Sequence, residues 1–318
     1  MPTAPPLSGY LPRDFVETAE GLVFAVVDPY LDAGRVPCFL RYRRLDGGWV
    51  KLDTAAANAW LQAVAPQYRY HSRRLDAELH GLPLSAICRH HQPRQRLAAL
   101  CAAARVDPIE AKARRCLGLL QAGGVSPDQI GLTGSLLIEA QRPDSDLDFV
   151  LYGRDAFEGA RAAVRAAITA GQLDDLTPEA WRDAYARRGC ALSFDEYLWH
   201  ERRKGNKGLC DGTKFDLTLV AEPLPEPAGP CRKRGPVRVC ATVNEARYAF
   251  DVPARYGLDH PDIDEVLSFT QTYAGQARAG ERVEIAGQLE LTAAGRQRIV
   301  IGATREAHGE YLKVLPHA

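Results

Sequence analysis

Three acidic residues and a glycine-serine pair carry most of the chemistry legible in this 318-residue chain. Asp146 and Asp148 stand two apart in Asp146-Leu-Asp-Phe-Val-Leu-Tyr152, an apolar run with the character of a strand. Side chains alternate along a strand, so the two carboxylates share a face about 7 Å apart while Leu147 and Phe149 turn to the core. Two carboxylates so placed can hold hard cations, with phosphate oxygens completing the shell, as two-metal phosphoryl transfer requires. Upstream, Ile130-Gly-Leu-Thr reads as a short strand running into Gly134-Ser135 and then a short helix from Leu136 to Gln141. The backbone N–H groups and hydroxyl of such a turn suit a phosphate.

A third carboxylate should come from a neighbouring strand. Lys214-Phe-Asp-Leu-Thr-Leu-Val220 is such a strand, with Asp216 on the face of Lys214 and Thr218 and with Phe215, Leu217 and Leu219 inward. Lys214 suits a phosphate or neutralises Asp216. Asp211, beside Gly212, competes for the third acidic position but reads as a turn residue. Arg202, Arg203, Lys204 and Lys207 precede this strand. They can meet a triphosphate or an acceptor backbone, or they complement the C-terminal dipole of a helix and keep a loop soluble.

Taken in order, Gly134-Ser135, a spacer, Asp146-Leu-Asp148 and the distant Asp216 resemble the nucleotidyltransferase superfamily typified by DNA polymerase beta, CCA-adding enzymes and poly(A) polymerases. More narrowly, the chain resembles a group of predicted archaeal and bacterial nucleotidyltransferases with an extra domain on each side. The motif covers about a third of the chain, and the long insert between the acidic strands departs from the compact pattern. The resemblance implies that Asp146, Asp148 and Asp216 bind two Mg2+ ions, or Mn2+ in their place. It implies that Gly134 and Ser135 hold the triphosphate of a nucleoside triphosphate, ATP among the candidates, and that Asp216 helps to deprotonate the acceptor hydroxyl. Lys214 and Arg203 are the basic residues expected to assist at the nucleotide.

The elements that must position these residues predict an α+β protein. Over 1–104, strands at Gly21–Val27 and Val36–Arg43 and a turn before Trp49 form a small antiparallel sheet closed by a helix from Ala55 to Val64. Tyr68–Arg74 either stacks bases and meets phosphates or forms an edge strand with a solvated basic face. His90 and His91 read as an exposed loop or helix start. Over 105–222, a helix from Pro108 leads into the acidic motif. Helices at Asp155–Ala170, Pro178–Arg188 and Phe194–Arg203 then separate the acidic strands, the first packed on the sheet.

The Pro-rich stretch Pro223–Pro230 marks a boundary. Over 223–318, strands at Val237–Val243, Tyr248–Val252, Val266–Thr272, Arg282–Leu291 and Gln297–Thr304 predict a β-barrel of OB-like character. In it Tyr248, Phe250, Tyr256 and Tyr273 either stack bases or fill the core.

Forty basic residues balance forty acidic ones, so no global field draws the molecule to nucleic acid or membrane, and any such binding must be local. No run approaches the ~18 apolar residues of a membrane span. The first residues lack a signal-peptide pattern, and the eight scattered cysteines fit reduced, mostly buried thiols, together predicting a cytoplasmic protein. The expectation is a metal-dependent nucleotidyltransferase with an RNA acceptor preferred. The alternatives are a non-catalytic nucleic-acid-binding protein on the same fold, or transfer to a protein or small-molecule acceptor.

Overall fold

The computed structural model describes residues 7–224, 229–303 and 307–316. The Pro-rich start, the centre of the Pro223–Pro230 stretch and Thr304 lie outside them. Three sheets follow one another along the chain, and each buries its own core.

The first is antiparallel and seven-stranded: β1 (Phe15–Thr18), β2 (Leu22–Val26), β3 (Arg35–Leu45), β4 (Gly48–Lys51), β5 (Arg69–Ser72), β6 (Ala77–Pro83) and β7 (Ile87–His91). Its order is β5-β6-β3-β2-β1-β7, with β4 added to β3. Alternation divides it into two apolar faces. Phe24, Leu40 and Leu82 pack under helix α1 (Thr54–Val64), which Asp53 caps, whereas Phe15, Val23 and Tyr42 pack on Leu137 and Ile138 beyond the glycine-serine turn. That second contact fixes the sheet against the acidic motif. The basic Tyr68–Arg74 stretch supplies the edge strand β5. His90 and His91 are on β7 rather than in a loop. Carboxylates on or beside the paired strand β1 hold their rings: Asp14 is 2.7 Å from His90 Nε2 and Glu17 is 2.8 Å from His91 Nε2.

The middle region contains α2 (Pro93–Ala102), α3 (Pro108–Ala122), β8 (Ile130–Leu132), β9 (Leu147–Tyr152), α4 (Arg154–Thr169), α5 (Pro178–Arg188), α6 (Phe194–Lys204), β10 (Lys207–Cys210) and β11 (Thr213–Val220). Its four-stranded sheet is mixed, in the order β10-β11-β9-β8, and β9 and β11 run parallel. Asp107 caps α3 through a reciprocal capping box with Glu110. Residues of α3 and α4 share one core with Leu147, Phe149, Phe215 and Leu217. The segment after Thr133 is a 3₁₀ turn, Gly134–Ile138, ended by Glu139 in the left-handed conformation.

The last region is a closed five-stranded barrel. Strands β12 (Arg232–Glu245), β13 (Ala254–Asp259), β14 (Glu265–Ser268), β15 (Arg282–Leu291) and β16 (Gln297–Ile301) ring it in the order β12-β13-β14-β16-β15 and back to β12. β14 and β16 are its parallel pair, and β17 (Tyr311–Val314) adds to β15. Tyr248–Val252 is not a strand. Turns closed by Ala249 N–H to Ala246 O and Asp251 N–H to Tyr248 O occupy it, and pairing starts only after Pro253, which has no N–H to give a ladder. Tyr256 and Tyr273 are buried in the barrel core, whereas Phe250 faces a cavity. Trp181 of α5 and Tyr197 of α6 belong to this same core, so those two helices serve the barrel rather than the acidic sheet. All eight cysteines are free thiols, and Cys38, Cys116, Cys210 and Cys231 are buried.

Candidate functional site

The parallel pairing of β9 with β11 puts Asp148 and Asp216 in register, side by side on one face of the sheet. Leu147, Phe149, Phe215 and Leu217 point the other way and are buried, as the alternation requires. Asp146 stands one residue before β9, at its mouth, and Lys214 Nζ lies 3.0 Å from its Oδ2. The glycine at 134 is a steric requirement: it holds φ +67°, and a Cβ there would stand 2.1 Å from Asp148 Oδ2. The turn and the two acidic strands therefore converge on one point.

A cavity of about 600 Å3 opens over that point. The first sheet, the acidic sheet, helices α5 and α6 and the barrel all contribute to its wall. Asp146, Asp148, Asp216, Lys214 and Gly134 line it. Ser135 and Arg203 do not. Arg203 turns toward the barrel, where it pairs with Glu281 and stacks over Trp199 with its guanidinium carbon 4.1 Å from the ring centre. Arg202 pairs with Asp175 at the surface.

Lysines dominate one side. Lys214 Nζ bridges Asp146 and Asp216, 2.7 Å from Asp216 Oδ2, and Lys207 Nζ lies 3.2 Å from Asp216 Oδ1. Lys207 also reaches Glu201 at 2.9 Å. Glu201 in turn binds the buried Lys204, whose ammonium donates to Thr272 O of the barrel at 2.7 Å. The charge states follow. Burial opposes ionisation of Asp216, but Lys207, Lys214 and Arg188 outweigh it and hold the carboxyl well below its ordinary range. Burial likewise opposes Glu201, yet Lys204, Lys207 and Arg188 bring it down to about 2. Burial lowers Lys204 to about 8 despite Glu201.

Asp148 behaves in the opposite way. Burial first, then the neighbouring Asp216, pushes its carboxyl up to about 6, with Lys214 and Arg13 opposing. Neither of its carboxylate oxygens has a hydrogen-bond or ion-pair partner among the described residues.

Among the described residues no group of three His, Cys, Asp or Glu side chains is arranged around a common metal position. The Lys214 ammonium stands between Asp146 and Asp216 where a cation would draw them together. The donor set itself suits a hard divalent ion: the oxygens of Asp148 are unpartnered, and Asp216 Oδ1 accepts no hydrogen bond despite the nearby Lys207.

The residues with no sequence signal are cationic and come from elsewhere. Arg13 from the loop before β1, Arg41 of β3, Lys51 at the end of β4, and Arg187 and Arg188 at the end of α5 all line the cavity. Lone arginines in unrelated elements have no spacing that sets them apart. A positive φ of 81° at Arg13 is visible only in the folded chain.

No protein-family model matches the chain, and no solved structure does. The uncharacterized protein MJ1086 of Methanocaldococcus jannaschii is 33% identical over 333 residues, an alignment covering 95% of this chain and 98% of that protein. The chain belongs to the family of that archaeal protein, and the match runs through all three sheets and the helices between them. No helix among the described residues is long and apolar enough to cross a membrane.

Proposed function

We propose that the chain is a metal-dependent nucleotidyltransferase that moves a nucleoside monophosphate from a nucleoside triphosphate to an acceptor hydroxyl. The observation that carries this reading is the register of Asp148 beside Asp216 on parallel strands, with Asp146 at the strand mouth and Gly134 holding open the space for the Asp148 carboxylate. Asp146, Asp148 and Asp216 would hold Mg2+, or Mn2+ in its place. When bound, such ions lower the pKa of an attacking hydroxyl and neutralise a leaving pyrophosphate.

The acceptor oxygen forms a bond to the α-phosphorus as the bond from that phosphorus to the bridging oxygen breaks, and pyrophosphate leaves with the electron pair. The acceptor's proton passes to a base. Asp216, held ionised by Lys207, Lys214 and Arg188, is the residue proposed to assist in that step. Lys214 can exchange a carboxylate partner for a phosphate oxygen, and Lys207 keeps Asp216 ionised.

An RNA acceptor is the preferred substrate. Its support is the strand order of the barrel, with the third and fifth strands parallel, which is that of an OB-like fold, together with the exposed Arg232 and Arg234 on β12. Two features bear on the other acceptors. Tyr256 and Tyr273 are core residues and offer no stacking platform, and the cavity is large enough for a nucleotide with a small second reactant.

The test is to incubate the full chain with Mg2+ and each labelled nucleoside triphosphate, with and without total cellular RNA. The expected result is label transfer to RNA that requires the ion and disappears in Asp148→Asn. Transfer that persists unchanged in that variant would sink the proposed site. Salt-sensitive RNA binding without transfer would make the protein a binding module instead.

A further inference from the structure

Three guanidiniums line the cavity near the acidic site without a direct ion pair: Asp148 and Asp216 act on Arg13, and Glu201 and Asp216 on Arg188, only at longer range. Arg13, Arg41 and Arg188 line the cavity, and none of them forms an ion pair among the described residues. Arg13 feels both of the others: burial lowers its pKa, Asp148 and Asp216 raise it, and Arg188 and Arg41 both act against its charge.

Unusual backbone presents two of the three. Arg13 holds φ 81°, a conformation that costs an L-residue roughly 1–2 kcal/mol. It is fixed there by its carbonyl, which accepts from the Thr133 hydroxyl at 2.9 Å, and by its N–H, which donates to Val26 O at 3.2 Å. Arg41 occupies a bulge: Val23 pairs with Tyr42 and Phe24 with Leu40, which leaves Arg41 unmatched on β3. Bulges re-aim a side chain, and strained backbone persists where the surrounding structure over-determines it. Arg188 ends α5 just before Gly189, which is left-handed at φ 55°. Three different elements thus deliver like charges to one wall of the cavity, where the nearby carboxylates offset them without pairing directly and leave their donors open to an added anion.

We infer that Arg13, Arg41 and Arg188 form an oxyanion subsite that takes a phosphate group of a reactant, supplied mainly by the first sheet and separate from the carboxylate cluster. The class of ligand follows from shape and charge. Guanidinium forks converging from three elements can satisfy the several oxygens of a phosphate, whereas a carboxylate offers only two. Lys51, at the end of β4, extends the same positive wall. That the phosphate belongs to a reactant rests on the nucleotidyl-transfer reading. Its source is either the end of the triphosphate or a phosphate carried by the acceptor.

The full chain, free of metal, is titrated calorimetrically with inorganic pyrophosphate. Arg41→Gln and Arg188→Gln each weaken binding by about tenfold or more, the range for a lost hydrogen bond to a charged group. Arg203→Gln, whose guanidinium serves Glu281, stays within about twofold of wild type by the same reasoning. Without anion, Arg41→Gln and Arg13→Gly melt no lower than wild type, because each removes a like charge and the second also relieves the strained φ. With pyrophosphate, wild type shifts upward more than any of them.

A wild-type chain that takes up no pyrophosphate overturns the subsite. So do affinities in Arg41→Gln and Arg188→Gln that stay equal to wild type, or melting points of Arg41→Gln and Arg13→Gly that fall as they would for structural residues. To locate the source, wild type saturated with a non-hydrolysable triphosphate analogue is titrated with inorganic phosphate. Blocked binding assigns the subsite to the triphosphate, and continued binding that Arg41→Gln removes assigns it to the acceptor. Anion binding is measured without transfer, so a failed transfer assay leaves this result standing and a failed titration leaves the transfer reading standing.

Discussion

The two sides of the cavity hold their positive charges in contrasting ways. On the side of α6, β10 and β11, Lys204, Lys207 and Lys214 are each bound to a carboxylate, and the chain Lys204–Glu201–Lys207–Asp216–Lys214–Asp146 is continuous. On the side of the first sheet, Arg13 acts on Asp148 without pairing to it, and Arg41 lines the same cavity without an ion pair. Buried charges that are fully paired belong to the architecture, and removing one partner strands the other. Charges gathered without partners, on backbone bent to present them, belong to a ligand. The same contrast separates the carboxylates: Asp216 is held ionised, whereas Asp148 is raised to about 6.

The sharpest break in this contrast comes from neutralising each acid. Asp148→Asn should cut label transfer at least about a hundredfold, on the scale of losing one preorganised charge-stabilising group. It should also stabilise the metal-free protein at pH 7, by about 1–3 kcal/mol as judged from a folded pKa near 6 against an ordinary carboxylate. Denaturant unfolding reads this directly, and a destabilised variant would show Asp148 to be structural.

Asp216→Asn and Glu201→Gln should do the reverse. Each leaves buried lysines short of a counter-charge and should cost roughly 3 kcal/mol in the same measurement. An unchanged unfolding midpoint in both would remove the distinction between the two sides.

A pH series sharpens the point further. The folded pKa of Asp148 is raised above its unfolded value, so its contribution to stability is fully present below the unfolded pKa and is lost as pH rises through about 6. Wild type should therefore gain on Asp148→Asn as pH falls from 7 toward 4, and a difference that stays flat across that range would contradict the assignment. The smallest effect is expected at Arg203→Ala. It loses a partly exposed ion pair and a cation–π contact, together about 1 kcal/mol, and transfer should not change. A marked loss of transfer would return Arg203 to the site.

What was legible in the sequence was local. The alternation around Asp148 and Asp216 specified two strands and the face each acid shares, and Pro108 marked a helix start. Residues set by distant contacts were not legible. Lys204 reads from sequence either as a phosphate contact or as the end of a solvated helix, and Glu201 carries no signal at all; the Thr272 carbonyl from the barrel meets the buried pair they form. Nothing near Pro178 or Phe194 indicates that α5 and α6 turn away from the acidic sheet to cover the barrel. The aromatic run Tyr248–Phe250 imitates a strand because β-propensity carries no information about Pro253 or about which partner is within reach. Arg13 and Arg41 depend on a left-handed residue and a bulge, both made by tertiary contacts.

The bond from Lys204 to the barrel also has a consequence for the order in which the protein is made. A ribosome delivers the acidic strands well before Thr272 and long before β17, yet α6 relies on both: Val314 N–H donates to His200 at 3.1 Å, and Lys313 meets Glu196 at 2.9 Å. A nascent chain that has already emerged as far as Asp216 holds a helix whose ammonium has no carbonyl to receive it. The chain of charges behind the carboxylates then gains its Thr272 contact only after β14 has left the tunnel. Synthesis thus leaves α6 without two of its anchors until β17 arrives.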